Sequence, residues 1–312
     1  MKIFDVREER EYRFSVFTST YNRASLLKNV YNDLLNQTFK DFEWVVVNDG
    51  SSDETDSVIK GFIAERKIPI LYISKENGGK HSAWKIATSF FYGKYEVGAD
   101  DDDFVTSDML EVFDREWKKL EEDDKYNEFW EIRARVARPD GSLVGPEFER
   151  DFDSDYNEFC YKMHYGPVEL DGCRKVSVLK KEAAVPNDIL FSDKISNYSE
   201  GLRWSKAARK YKTRFIRNIV RIYNDTPHSL CKQKPSKRKF FTGLVNSIYT
   251  INEQRDLMIR FSRKSLLLNY LNVAYQSIRA RCFILYPLKS RIDKVAVCAM
   301  YPIASIIYLF RK

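Results

Sequence analysis

The sequence is poor in cysteine, and its few cysteines are scattered. Only five occur among 312 residues, and no Cys-x-x-Cys pair is present. An odd number of widely spaced cysteines indicates neither a disulfide framework nor a zinc site, so a reducing compartment fits best. The N-terminal stretch MKIFDVREEREYRF lacks the apolar core of a secretory signal. We therefore expect a cytosolic protein.

Several familiar sequence signatures are missing as well. Neither a G-x-x-x-x-G-K-[ST] phosphate loop nor a G-x-G-x-x-G dinucleotide motif occurs. No low-complexity tract or internal repeat is present, which argues against a disordered chain and against a solenoid. Hydrophobic residues make up 44% of the sequence, so we expect a sizeable core, in one large domain with an appendage or in two domains.

Acidic residues are scarce in the last third of the chain. Residues 202–312 contain 24 lysines and arginines but only 4 acidic residues, a net charge of +20, whereas residues 1–201 carry −13. Two interpretations of the basic part stay open. It forms solvated helical faces, or it offers a surface to anionic partners such as lipid headgroups, a diphosphate or nucleic acid.

Short apolar runs and amphipathic helical patterns alternate through the first hundred residues. This alternation predicts an α/β fold with a parallel sheet and helices on both faces. The predicted strands are 14–19, 42–49, 68–74 and 95–99, and the predicted helices between them are 23–37, 51–65 and 81–92. The helix at 51–65 begins with residues that suit capping, Ser51 and Ser52.

The pattern becomes less regular after residue 104. The predicted elements are a helix at 107–122, a hairpin at 129–148, a strand running into a short helix at 176–183, a helix at 198–211 and a strand at 214–224. We place a domain boundary near residue 225. A basic linker at 232–239 follows it, and then a mostly helical region that completes 226–312.

The final segment, 295–310, is apolar for sixteen residues. This is shorter than the roughly 20 residues that cross a bilayer. It is either a helix of the core or an interfacial helix anchored by Arg311 and Lys312.

Four polar clusters fall where predicted strands end or in the loop that follows one. They are TSTYNR (18–23), NDGSSD (48–53), ENGGKH (76–81) and ADDDD (99–103). Ligands of open α/β sheets bind beyond the carboxyl ends of the strands. We therefore expect the four clusters to converge on one edge of the sheet.

The four consecutive aspartates, 100–103, repel one another and need a counter-charge. Mg²⁺ or Mn²⁺ suits such an oxygen-only site, and either cation naturally bridges to a diphosphate. The alternative is local: Asp103 and Asp108 complement the N-terminus of the next helix.

The other clusters offer groups for a nucleotide. Tyr21 is suited to stacking on a base, although core packing would equally explain it. Asp49 is suited to holding ring or ribose donors, although a plain turn with a helix cap is the alternative. Lys80 and His81 follow two glycines and suit contact with a phosphate or a sugar.

Together these motifs resemble the family 2 glycosyltransferases with the GT-A fold. The resemblance runs in order through TYNR, WVVVNDGSSD, NGG and GADDDDFVTSDML, and it covers roughly residues 13–225. It implies a Rossmann-like mixed sheet flanked by helices, with a helical C-terminal extension. The catalytic domain would be 1–225, and its donor would be a nucleotide-sugar, commonly linked to UDP.

The resemblance also implies roles for individual residues. Tyr21 would stack on the base, Asp49 would hold the uracil edge, and Asp100 would contact the ribose. Asp102 would bind the divalent metal. The remaining residues expected at the nucleotide-sugar are Ser19, Thr20, Arg23, Gly79, Lys80 and Asp101.

The resemblance also implies that transfer inverts the anomeric carbon of the sugar. Such a reaction needs a general base that takes the proton of the acceptor hydroxyl. Glu200 matches the family's position for this base, and Asp193 is the reserve candidate. Relatives often carry Glu-Asp here, whereas this chain has Ser199-Glu200, and Glu200 could instead serve only the helix N-terminus. The tract 171–180 resembles the acceptor-side segment, and His164 could line the site.

The leading interpretation is therefore an inverting, metal-dependent glycosyltransferase in surface polysaccharide synthesis. Its partners would be a UDP-sugar, a carbohydrate or lipid-linked saccharide acceptor, and an anionic membrane surface that meets the basic C-terminal region from the cytoplasmic side. A nucleotidyltransferase or sugar-nucleotide pyrophosphorylase would need a glycine- and basic-rich loop after the first strand, which STYNRAS does not supply. A nucleic-acid-binding function has no recognisable motif in 202–312, so no nucleic acid partner is expected.

Overall fold

The computed structural model describes residues 1–162, 169–189, 191, 193–224, 236–285 and 287–310. Three features expected from the sequence lie outside these ranges: His164, the start of the basic linker at 232–235, and the terminal Arg311 and Lys312. The boundary expected near residue 225 also lies there, and it stays a prediction.

An eleven-stranded mixed sheet is the centre of the fold. Its strand order is β1-β4-β3-β2-β5-β10-β7-β11-β6, with β8 beside β7 and β9 beside β11. The strands are β1 (Lys2–Asp5), β2 (Tyr12–Thr20), β3 (Phe42–Asn48), β4 (Ile70–Ser74), β5 (Gly93–Gly98), β6 (Phe104–Val105), β7 (Phe129–Ala137), β8 (Leu143–Val144), β9 (Phe152–Ser154), β10 (Leu170–Lys175) and β11 (Lys212–Ile222).

Helices cover both faces of the sheet, and three more follow it. They are α1 (Ala24–Leu35), α2 (Thr55–Glu65), α3 (Lys80–Phe90), α4 (Met109–Glu121), α5 (Tyr156–Lys162), α6 (Val176–Lys181), α7 (Glu200–Ala208), α8 (Lys237–Phe261), α9 (Arg263–Ala280) and α10 (Arg291–Phe310). A short 3₁₀ turn, Tyr126–Glu128, precedes β7.

The four predicted strands form the parallel half of the sheet, in the order β4-β3-β2-β5. All seven residues of β3 are buried, because helices pack on both sides of it. Val46 packs in the cluster under α1, α2 and α4, whereas Val45 and Val47 pack in the cluster under α3, α6 and α7. This alternation confirms the prediction of a parallel sheet with helices on both faces.

The second half of the sheet is antiparallel around β10, which pairs with β5 and β7. The strand predicted at 176–183 is wrong: the strand is Leu170–Lys175, and Val176–Lys181 is a helix. The error has a physical reason. The strand residues LDGCRK are mostly polar yet all buried, so no apolar run marks them, while the apolar residues of α6 lie on its buried side.

Two smaller expectations had different outcomes. The hairpin expected at 129–148 is present as β7 and β8, closed by a turn in which Arg138 N donates to Ser142 O. The capping role expected for Ser51 or Ser52 is wrong, because α2 begins at Thr55 without a side-chain cap. Instead, the Ser51 hydroxyl accepts from Asn22 N at 2.9 Å and links the loops after β2 and β3.

The C-terminal helices α8, α9 and α10 form a third hydrophobic cluster. Serines begin two of them: Ser236 Oγ accepts from Lys239 N, and Ser262 Oγ accepts from Ser265 N. Helix α8 also packs against the main body, because Val245 joins the cluster around α7. The mostly helical C-terminal region is therefore as expected.

Helix α10 differs from the core helix that was one interpretation of 295–310. Within that segment only Val297 and Ala304 are buried, and most large apolar side chains are exposed. Within the described part of the chain, α10 is long enough and apolar enough to cross a bilayer, judged by length and composition alone.

Candidate active site

The carboxyl ends of β2, β3 and β5 lie side by side at one edge of the sheet. Thr20 pairs with Asn48, and the next residue, Asp49, donates its backbone N–H to Thr20 O at 2.9 Å. Phe17 pairs with Gly98, which immediately precedes the aspartate run. The clusters at 18–23, 48–53 and 99–103 therefore converge as predicted.

Asp49 fastens the glycine-containing loop to this edge. Its buried carboxylate accepts from Gly78 N at 3.0 Å, from Gly79 N at 2.7 Å and from Lys75 Nζ. Asn77 Nδ2 donates to the Asp49 carbonyl at 3.0 Å. Asp49 therefore fixes the position of this loop at the sheet edge, and sequence reasoning missed Lys75 as its charge partner.

Gly79 lets this loop approach the segment that leads to α7. Its φ is +86°, and a Cβ there would lie 2.2 Å from the carbonyl oxygen of Ser196. Any side chain would have to separate the two segments or move their backbones. The close contact brings the start of α3 next to the start of α7, and thus Lys80 next to Glu200.

Lys80 joins two carboxylates from different elements. Its Nζ lies 3.0 and 3.1 Å from the two carboxylate oxygens of Asp100 and 3.3 Å from Glu200 Oε1. Burial acts to raise the pKa of Glu200, but Lys80 acts against it together with Arg203 and Arg174, and the pKa of Glu200 is lowered. Burial likewise acts to raise the pKa of Asp100, and Lys80 together with Arg221 and Arg23 lowers it. Glu200 is therefore ionised, and it can accept a proton.

The other three aspartates are paired with arginines. Arg23 Nη1 lies 2.6 Å from Asp101 Oδ1 and 3.1 Å from Asp102 Oδ2. Arg221 Nη1 donates to Asp103 at 2.6 Å. Three basic side chains thus offset the charge of the run: Arg23, which directly precedes α1, Lys80 on α3 and Arg221 on β11. Sequence reasoning missed Arg221.

The four aspartates are not equivalent. Burial raises the pKa of Asp101 to about 6 despite Arg23, and burial raises the pKa of Asp103 to about 6 despite Arg221. Asp103 also accepts from Asn224 N at 3.0 Å, so it fastens the end of β11. No side-chain cap of α4 by Asp108 is present. The more open members of the run are Asp100 and Asp102, with side chains 36% and 23% exposed.

A buried ionic row lies under α7. Arg174 on β10 donates to Glu131 on β7 at 2.8 Å and to Glu96 on β5 at 3.2 Å. The three residues are direct neighbours across three strands, since Arg174 pairs in register with both glutamates. Burial raises the pKa of Glu96 to about 7. This row fixes the strands on which α7 rests.

Arg203, one turn after Glu200, anchors α7 itself. Its guanidinium lies 4.5 Å from the centre of the Trp84 ring and 4.7 Å from that of Trp204, and its Nε donates to Ala183 O at 3.0 Å. Burial lowers the pKa of Arg203 to about 10. The catalytic candidate is therefore held by a helix whose second turn is packed between aromatic rings.

The residues after β2 form the open side of the site. Tyr21 is 49% exposed, so core packing does not explain it, and its ring is free for stacking. Ser19 is half-buried, and Thr20 is buried at the strand end. Arg23 turns toward the aspartates rather than toward solvent.

Two sequence candidates are placed differently from expectation. His81 is buried and burial lowers its pKa, so the structure makes it a neutral core histidine rather than a phosphate contact. Asp193 is exposed, and the described hydrogen bonds and ion pairs do not connect it with Glu200 or the aspartates.

Asp171, in the tract expected on the acceptor side, is buried on β10. Burial raises its pKa, and its Oδ2 lacks a described hydrogen-bond partner.

Asp102 is the candidate donor for a divalent cation. Among the described residues, no group of three histidine, cysteine, aspartate or glutamate side chains is placed to hold a metal by itself. The chemistry of the donor set nevertheless fits Mg²⁺ or Mn²⁺. Both prefer carboxylate oxygen, and they usually complete their coordination with water and substrate phosphates.

Comparison with known proteins shows which family and which fold this chain resembles. Residues 15–132 match the sequence profile described as Glycosyl transferase family 2. A chondroitin synthase of Pasteurella multocida is 32% identical over 158 residues, which are 48% of this chain and 16% of that protein. The chain therefore spans about one sixth of the length of this relative.

Solved structures show the fold. TarS 1-349 of S. aureus, in complex with UDP-GlcNAc, superposes with a TM-score of 0.62 at 15% identity, over 96% of this chain and 92% of that one. The mannosyltransferase PcManGT from Pyrobaculum calidifontis, in complex with GDP-Man and Mn²⁺, gives a TM-score of 0.55 at 14% identity, over 99% and 91%. These likenesses confirm the expected GT-A fold.

Proposed function

We propose that the chain is a family 2 glycosyltransferase that transfers a sugar from a UDP-sugar to an acceptor hydroxyl with inversion, because residues 15–132 match that family's profile and the fold is of the GT-A type. The observation that carries the proposal is the position of Lys80. One ammonium group joins Asp100, the candidate ribose ligand, to Glu200, the candidate base, at 3.0 and 3.3 Å. The candidate donor ligand and the candidate base therefore lie on either side of the same ammonium group.

The nucleotide would lie across the strand ends. Tyr21 offers an exposed ring for the base, and Asp49 holds the loop that borders it. Asp100 would contact the ribose, while Lys80 and Arg23 would contact the phosphates. Ser19, Thr20, Gly79 and Asp101 would shape the pocket around the donor. The support for these roles is the convergence of their elements and the exposure of Tyr21.

Glu200 would act as the general base. Its carboxylate takes the proton of the acceptor hydroxyl while that oxygen bonds to the anomeric carbon from the face opposite the nucleotide. The bond from carbon to the diphosphate oxygen breaks, and its electron pair leaves with UDP. The lowered pKa of Glu200 keeps the carboxylate ionised before the reaction.

Asp102 would hold Mn²⁺ or Mg²⁺, which supplies electrostatic stabilisation to the diphosphate leaving group when bound. A structural neighbour carries Mn²⁺ together with a nucleotide-sugar. Lys80 and Arg23 would share this task, because both lie beside the aspartate run. Asp103 stays with Arg221 and holds the end of β11.

The acceptor class follows from the relatives and from charge. A matched relative is a chondroitin synthase, and another is the minor teichoic acid biosynthesis protein GgaB of Bacillus subtilis. We place the enzyme in surface polysaccharide or teichoic-acid-type synthesis, with a carbohydrate or lipid-linked saccharide as acceptor. On the cytoplasmic side, the basic C-terminal region would be attracted to anionic lipid by about 1 kcal/mol per lysine or arginine near the surface.

The proposal is tested by UDP release from a panel of UDP-sugars, with and without Mn²⁺ or Mg²⁺. We expect one donor to be hydrolysed slowly without acceptor, and only with the cation. Asp102→Ala should abolish the cation dependence of UDP binding, measured by calorimetry. Asp124→Ala, a change outside the aspartate run that leaves 100–103 intact, is the matched control. Cation-independent turnover in both variants would contradict the assignment.

A further inference from the structure

Helix α10 exposes its large apolar side chains and buries its small ones. The exposed side chains include Val295 at 70% and Phe310 at 87%, whereas Val297 and Ala304 are fully buried. The exposed apolar set is Ile292, Val295, Ile303, Ile306, Leu309 and Phe310. A helix on the surface of a soluble protein normally shows the reverse arrangement. We call these six residues the α10 ridge.

The six residues of the ridge lie on one side of the helix. At 100° per residue, its six members fall within an arc of about 120°. The helix has 20 residues, which corresponds to a length of about 30 Å. A patch of this length exceeds the scattered apolar residues of ordinary surfaces.

The inner face of α10 is fastened, so rotation of the helix cannot bury the ridge. Asp293 is 2% exposed and accepts from Arg255 Nε at 2.9 Å and from Tyr270 Oη at 2.6 Å. Tyr270 belongs to α9 and Arg255 to α8. Rolling the ridge inward would break these bonds and bring the Asp293 carboxylate to the outside without partners.

The charges around the ridge favour an anionic membrane over a second copy of this chain as its partner. Asp293 is the acidic residue of α10 and is buried, whereas the basic Arg291 and Lys294 flank the ridge at its start. Residues 202–312 as a whole carry +20. A second copy of this region would bring like charge against like charge, whereas an anionic bilayer offers both hydrocarbon and negative headgroups.

We propose that α10 is an interfacial helix that inserts its ridge into an anionic membrane. The helix lies along the membrane plane, because its inner face stays packed on α9 through Asp293 and Tyr270. Insertion adds an apolar contribution to the purely electrostatic attraction of the basic region. The active site would then be held at the membrane, where a lipid-linked acceptor resides.

The proposal is tested with the full chain and vesicles in co-sedimentation assays. The vesicles contain phosphatidylcholine with 30% phosphatidylglycerol or phosphatidylcholine alone, at about 0.05 and 0.5 M salt. We expect binding to anionic vesicles that persists in part at high salt. The double variant Ile306→Ser/Leu309→Ser should lower the partition coefficient by about tenfold or more. Ile259→Ser, which alters a partly exposed isoleucine of α8, should bind like the wild type.

A second readout reports insertion itself. With Leu309→Trp, vesicles should shift the added indole emission to the blue, and brominated lipid should quench it. Binding that high salt abolishes completely and the double variant leaves unchanged would overturn insertion in favour of charge alone. Absence of binding, with a dimer in light scattering that the double variant dissociates, would overturn it in favour of self-association. The assay contains no donor, so its failure would leave the proposed sugar transfer untouched.

Discussion

Replacing Lys80 by methionine removes the one ammonium that joins Asp100 and Glu200, with little change in side-chain length. Lys80 Nζ lies 3.3 Å from Glu200 Oε1. Two unit charges at this distance attract by roughly 1 kcal/mol at the dielectric constant of water and by roughly 5 kcal/mol at an effective value of 20. Since the two side chains are 31% and 36% exposed, we take the lower figure, about one pKa unit.

The direction of the effect follows from the balance at Glu200. Burial acts to raise the pKa of this carboxyl, and Lys80, with Arg203 and Arg174, keeps it below its usual value. Without Lys80, the pKa of Glu200 rises, so the base is ionised only at higher pH. The acidic limb of the profile of kcat/KM against pH should therefore move upward by about one pH unit.

The assay is UDP release from the active donor between pH 4 and 9, at several donor concentrations. Lys85→Met, which changes an exposed lysine on the same helix, is the matched control and should keep the wild-type profile. An acidic limb that stays in place in Lys80→Met would refute the electrostatic link between Lys80 and Glu200. A lower affinity for UDP in Lys80→Met is expected in addition, because the same ammonium faces the donor side.

Three further changes test other parts of the account. Gly79→Ala should lower the unfolding free energy by about 2 kcal/mol or more in denaturant titrations, because its Cβ would collide with Ser196 O, whereas Gly61→Ala in α2 meets open space and should raise it by about 0.5–1 kcal/mol. Tyr21→Ala should weaken UDP binding in calorimetry by about 1–3 kcal/mol at unchanged melting temperature, because a base–aromatic stack is lost from an exposed ring. Burial raises the pKa of Glu96 to about 7, so the stability that this group contributes is present below about pH 4.5 and is lost as the pH rises through 7. Glu96→Gln should remove this loss, and its stability relative to the wild type should therefore improve, on the order of 3 kcal/mol, between pH 4.5 and 8.

The parallel half of the fold was predictable from the sequence because its signals are local. The run 44–47, WVVV, is apolar without interruption, and amphipathic segments separate its strand from the neighbouring strands. Once the strands are parallel, the positions of the polar clusters follow from connectivity. The grouping of Asp49, Asp100 and Asp102 at one edge therefore needed no knowledge of tertiary contacts.

The ionic row under α7 and the pairing of Arg221 with Asp103 were not predictable, because their residues are distant from one another along the chain. Arg174 meets Glu96 and Glu131 only through the register of β10 with β5 and β7. The polar strand LDGCRK has no apolar period, so a search for such periods passes over it. Arg221 likewise reaches Asp103 across 118 positions. Such pairs stabilise the folded chain, but no short sequence motif predicts them.

In the proposed transfer, Glu200 removes the proton of the acceptor hydroxyl. The most direct measurement compares turnover and UDP-sugar affinity for the wild type, Glu200→Gln and Asp193→Asn. We expect Glu200→Gln to bind the donor within about twofold of the wild type but to lose about 10²–10⁴-fold in turnover, the usual contribution of a general base. Asp193→Asn should retain turnover. Full turnover in Glu200→Gln, or its loss in Asp193→Asn alone, would contradict the account.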